Sequence, residues 1–109
     1  MKAEQPYTLR VSVHNVGDTI WLAKRATVGG FVTVGARLHD AARQPVEMEY
    51  GRAFLSENVN PDDSQVVDIT LVAPQHRGVY HVELDMVCET MCWFSQRGSD
   101  SLWERITVL

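Results

Sequence analysis

The chain predicts an all-β fold, an immunoglobulin-like antiparallel β-sandwich of about seven strands. Apolar and polar residues alternate with a period of two through most of its 109 residues. Clusters rich in Gly, Pro, Asn or Asp interrupt that alternation at short intervals, and no stretch carries a persuasive helical period. The length suits one hydrophobic core and is too short for a cofactor domain beside a substrate domain.

The elements follow in order. Residues 1–6 read as an N-terminal tether, and 7–109 as the sandwich domain. Tyr7, Leu9, Val11 and Val13 alternate with Thr8, Arg10, Ser12 and His14, a strand with one buried face. Asn15-Val16-Gly17-Asp18 turns the chain, and Thr19-Ile20-Trp21-Leu22 reads as a second short strand. After Gly29-Gly30, Val32, Val34, Ala36 and Leu38 alternate with Thr33, Gly35, Arg37 and His39. Val46, Met48 and Tyr50 form the next segment, and Gly51 marks a bulge where the phase shifts before Phe54 and Leu55. Beyond the loop from Ser56 to Ser64, Val67, Ile69 and Leu71 alternate with Asp68 and Thr70. Pro74 and Gly78 bracket a corner before the cleanest strand, Tyr80, Val82, Leu84 and Met86. A Trp93-Phe94 segment and a closing strand near Leu102 to Leu109 complete the set.

Composition excludes several classes. With 45% hydrophobic and 22% charged residues the chain is globular, and a formal charge of -4 offers no field for a phosphate backbone. Lys24-Arg25 is the only adjacent basic pair, so nucleic acid is not an expected partner. The N-terminus lacks the apolar run of a signal peptide, and no later stretch is apolar enough to span a bilayer. A cytoplasmic location without membrane insertion is the expectation. Two cysteines, Cys88 and Cys92, are too few for a disulfide framework or a zinc site by themselves, and no histidine falls at ligand spacing from them. Reduced thiols are expected, with a disulfide across a tight hairpin as the alternative; no metal and no cofactor are expected.

The candidate site lies between Asp85 and Ser99. Trp93 and Phe94 are adjacent, so on an extended strand one ring faces inward and the other outward. The outward ring, beside Glu89, Gln96 and Arg97, offers an aromatic platform with polar neighbours, suited to a sugar or to an interface anchor. Trp21 could present an indole face in the same way, but an early tryptophan in a small sandwich fills core volume, and it is assigned there. Tyr80, just after Gly78, occupies the place where sandwiches set a tyrosine whose hydroxyl ties down the preceding corner. Glu83 and Asp85 share a strand face, with Glu89 beyond the expected turn, and the three carboxylates read as a solvated polar surface; no cleft is indicated in which two carboxyls could flank a scissile bond. No nucleophile elbow, phosphate loop or dinucleotide fingerprint occurs, so no catalytic residue is expected.

Val13-His14-Asn15-Val16-Gly17-Asp18-Thr19-Ile20-Trp21, Gly35-Ala36-Arg37-Leu38-His39-Asp40, Ala73-Pro74 before Gly78-Val79-Tyr80, and Glu83-Leu84-Asp85-Met86-Val87 through Trp93-Phe94 with Gly98-Ser99 make a pattern. It resembles bacterial immunoglobulin-like accessory modules appended to glycosyltransferases and methyltransferases of surface-polysaccharide assembly. More distantly it resembles the O-antigen-binding domain of polysaccharide exporters. The resemblance implies a non-catalytic accessory role. Together with the aromatic and polar segment it leads to an expectation of weak carbohydrate binding through Trp93, Glu89, Gln96 and Arg97. The alternative is a protein-docking or self-association domain, a homodimer included, that positions a catalytic partner.

Overall fold

The alternating segments form the strands β1 (Pro6–His14), β2 (Val32–Asp40), β3 (Pro45–Phe54), β4 (Ser64–Val72), β5 (Gly78–Cys88), β6 (Cys92–Trp93) and β7 (Leu102–Val108). The computed structural model describes residues 1–23 and 30–109; the Lys24-Arg25 pair and Gly29 lie outside the described residues. β1 and β4 pair antiparallel as a two-stranded sheet. The second sheet has five strands in the order β3-β2-β5, with β6 and β7 pairing different stretches of the same edge of β5. The fold is therefore the antiparallel β-sandwich that the period of two predicts.

The inward phase builds the core. Val11 and Val13 of β1 and Val67, Ile69 and Leu71 of β4 face Val34, Ala36 and Leu38 of β2, Val82 and Leu84 of β5, and Ile106 of β7. Each buried aliphatic side chain of this size contributes about 1.5–3 kcal/mol relative to exposure. The register between β2 and β3 slips where Ala36 faces Gly51 but Leu38 faces Glu47, so the irregularity adjoins Gly51. A Cβ on Gly51 would collide with the Leu71 side chain of the opposite sheet. Glycine thus lets the two sheets approach at this point.

Two sequence expectations are corrected. Thr19 to Leu22 does not form a strand; only an isolated bridge joins Trp21 to Val59, with hydrogen bonds of 2.9 and 3.0 Å. Fully buried Asn15 explains this, because its Nδ2 donates to Thr19 O at 2.9 Å and Val59 O at 3.0 Å while its Oδ1 accepts from Gly17 N. These side-chain bonds hold the segment as a turn, and Val59 O accepts from both Asn15 Nδ2 and Trp21 N. Phe94 is also not in a strand, since the chain enters a 3₁₀ turn (Phe94–Arg97) directly after Trp93. Gln96 folds back to accept from Trp93 N at 3.0 Å, and Gly98, at φ +94°, ends the turn in the left-handed region open to glycine.

The expected tyrosine corner forms, with Tyr80 Oη donating to His76 O at 2.8 Å. Residues 1–6 lie against the domain: Glu4 N donates to Ala73 O at 3.1 Å, and the Met1 amino group to Thr107 O at 2.9 Å.

Candidate functional site

Register decides which side chains meet on the outer face of the five-stranded sheet. Gly35 on β2 lies between Arg52 on β3 and Asp85 on β5, and Arg37 lies opposite Glu83. Trp93 faces Val87 across β5 and β6, and Trp103 faces Glu83 across β5 and β7. Side chains of this phase point away from the core.

The Trp93 indole crosses β5 and rests its benzo end on Gly35. A Cβ at Gly35 would fall 2.7 Å from both Cη2 and Cζ3 of the ring and 2.7 Å from Val87 Cγ2. Two guanidinium groups contact the ring, Arg37 at 3.8 Å and Arg52 at 4.5 Å from its centroid. Such cation–π contacts contribute about 0.5–2 kcal/mol each, more as the pair loses water. Arg52 Nε also donates to Glu89 Oε2 at 3.2 Å, and Thr33 Oγ1 donates to the same oxygen at 2.8 Å. Glu49 takes the other side of Arg52 at 2.8 Å.

A second cluster continues along the face. Glu83 accepts from Ser101 Oγ at 2.6 Å and His39 Nε2 at 3.1 Å, and pairs with Arg37 Nη1 at 3.4 Å. Burial pushes the Glu83 carboxyl up, but the Ser101 and His39 hydrogen bonds and the Arg37 charge outweigh burial and hold it below the usual range. Trp103 packs on the His39 ring at 4.8 Å between centroids, with the Arg43 guanidinium 4.5 Å from the indole. The β5 partners of Trp93 and Trp103 are four residues apart. At strand rise this separates the two tryptophan positions by about 13 Å along the sheet.

Of the residues expected from sequence, the structure joins Trp93 and Glu89 through Arg52, while Gln96 is spent on the backbone of the turn. Arg97 is exposed in the last turn and makes no hydrogen bond or ion pair with Glu89 among the described residues. The two adjacent rings do separate: Trp93 lies on the outer face, and Phe94 packs against the core, edge-on to Trp21 at 5.7 Å. Trp93 is half-buried by its arginines and is not an open platform. Trp21 is likewise half-buried against the core.

The solvated reading of Glu83 and Asp85 is corrected, because they are only 8% and 6% exposed. Arg37, His39 and Ser101 cover Glu83, and Asp85 accepts from Ser95 N at 2.9 Å where the 3₁₀ turn folds over the sheet. Sequence reasoning missed Arg37, Arg52, Thr33, His39, Arg43 and Trp103. Their common phase, Thr33-Gly35-Arg37-His39 above all, was visible, but the strand pairing that gathers them was not.

The sandwich also opens along one flank. A cleft of about 700 Å³ runs between β1 and the five-stranded sheet, lined by Val11, Val13, Trp21, Leu84 and Phe94 with Asp100 at hand. Among the described residues no group of three His, Cys, Asp or Glu side chains is gathered for a metal ion, and no helix is long and apolar enough to cross a membrane. Compared with models of known protein families and with curated protein sequences, the chain matches none.

Proposed function

We propose that this is a non-catalytic recognition domain that binds carbohydrate weakly on the outer face of its five-stranded sheet, as an accessory to a glycan-assembly or transferase system. The observation that carries the reading is the Trp93 indole on Gly35, flanked by Arg37 and Arg52 and joined through Arg52 to Glu89. A pyranose combines an apolar C–H face with a rim of hydroxyls, and it needs an aromatic surface beside forked donors and carboxylate acceptors. All three occur here, the indole and the guanidinium groups on strands and Glu89 in the turn that follows β5. Binding requires a guanidinium to exchange its ring contact for sugar hydroxyls, which keeps affinity low.

A glycan array probed with the wild type and with Trp93→Ala tests the proposal. Retention of a hydroxyl-rich ligand by the wild type and its loss in the variant are expected, and no glycan retained by either, or equal retention by both, contradicts it.

A second reading, docking or self-association, rests on a separate observation. β1 pairs only β4 among the described residues, leaving one edge free beside the flank cleft. Free edges of this kind accept a partner strand. Sedimentation across a concentration series reads it, with a dimer favouring docking and a monomer favouring the carbohydrate reading.

A further inference from the structure

Cys88 ends β5, Cys92 begins β6, and their Cα atoms are register partners. Directly opposed residues of an antiparallel pair project to one face, with Cβ atoms about 5 Å apart. The intervening Glu89-Thr90-Met91 makes a tight turn in which Thr90 adopts φ +65° and Met91 N donates to Cys88 O at 3.0 Å. This turn carries the Met91 thioether back to Cys88, and its Sδ lies 3.7 Å from Cys88 Sγ. Met91 is 71% exposed, so core packing does not account for its placement. Neither cysteine is in a disulfide, and both are half-buried.

We propose that Cys88, Met91 and Cys92 form a three-sulfur site for a soft cation, with Cu(I) the ion it fits. Thiolate and thioether donors together select Cu(I) over hard cations, whereas structural zinc takes four ligands. The thioether is decisive, because His, Cys, Asp and Glu alone supply no group of three among the described residues. With metal–sulfur bonds of about 2.3 Å, two sulfurs of a trigonal site sit about 4.0 Å apart, close to the separation already present between Cys88 and Met91. Loading breaks two S–H bonds, sends two protons to solvent and forms three Cu–S bonds. Copper remains Cu(I), no electron is transferred, and the three-sulfur complex carries one negative charge.

The assignment does not rest on the carbohydrate reading, since neither thiol lies on the outer face that holds Trp93, although the same turn carries Glu89. The test uses the full chain, reduced and without oxygen, titrated with Cu(I) against a chromogenic Cu(I) chelator. Wild type, Met91→Leu and Cys92→Ser are compared, with circular dichroism verifying that each is folded. One Cu(I) per wild-type chain is expected, with three sulfur neighbours by X-ray absorption. Met91→Leu, an exposed change that spares the fold, weakens binding by about tenfold or more, and Cys92→Ser weakens it further. Wild-type binding no tighter than that of Cys92→Ser, or a Met91→Leu variant that holds Cu(I) as tightly as wild type, overturns the assignment.

Discussion

Replacing Gly35 with alanine tests whether Trp93 is laid across the sheet. The new methyl group meets two Trp93 carbons and Val87 Cγ2, each at 2.7 Å, closer than packed carbon atoms come. Relief requires the indole to lift away from Arg37 and Arg52, because the β2 backbone is fixed on both sides by β3 and β5. Overpacking of this kind costs about 1–3 kcal/mol, offset in part by the preference of a strand for alanine over glycine, about 0.5–1 kcal/mol. A net loss of about 1.5 kcal/mol is expected, measured by urea unfolding followed by circular dichroism. In a Trp93→Ala background two of the three collisions disappear and only Val87 remains. The Gly35→Ala cost there falls to about 0.5 kcal/mol or less, a coupling of about 1 kcal/mol across the double-mutant cycle. An equal cost in both backgrounds, or no cost in either, refutes the placement of the ring.

Two further outcomes follow from the Tyr80 and Glu83 contacts. Tyr80→Phe removes the hydrogen bond to His76 O and lowers unfolding stability by about 1 kcal/mol, checked by thermal or urea unfolding; unchanged stability shows that the corner is held by other means. Glu83→Gln reports on pH: the native carboxyl is held below its usual range, so its contribution is fully present above the unfolded value of about 4.3 and is lost as pH falls through the native pKa. Wild type is therefore the more stable protein at pH 7, and the gap narrows as pH drops below about 4.3, whereas a gap independent of pH contradicts the ion-pair account.

Particular residues show what was legible in the chain and what was not. Alternation at Val32, Val34, Ala36 and Leu38 reports the face a strand buries, a local property, and those residues are buried as expected. The corner tyrosine was equally local, since Tyr80 reaches only four residues back. Thr19 to Leu22 looked like a strand because its residues suit one, but a single buried amide, Asn15, ties Thr19 O and Val59 O into a turn. Trp93 was recognisable as half of an inward and outward pair, yet its cover was not, because Arg37 and Arg52 arrive from strands 56 and 41 residues earlier. Nothing in local pattern fixes the register that sets Gly35 beneath the indole. The exposure expected of Glu83 and Asp85 failed for the same reason, since a 3₁₀ turn and a β7 neighbour cover an otherwise outward face.

The claim that the outer face recognises carbohydrate is tested most directly by NMR titration of ¹⁵N-labelled protein with a panel of oligosaccharides. Shifts concentrated on the Trp93 indole N–H, the Arg37 and Arg52 side-chain N–H groups and the Glu89 backbone, saturating at a weak affinity and absent in Trp93→Ala, are the predicted result. No response to any glycan, or a response confined to Trp21 and Phe94 beside the flank cleft, would contradict it.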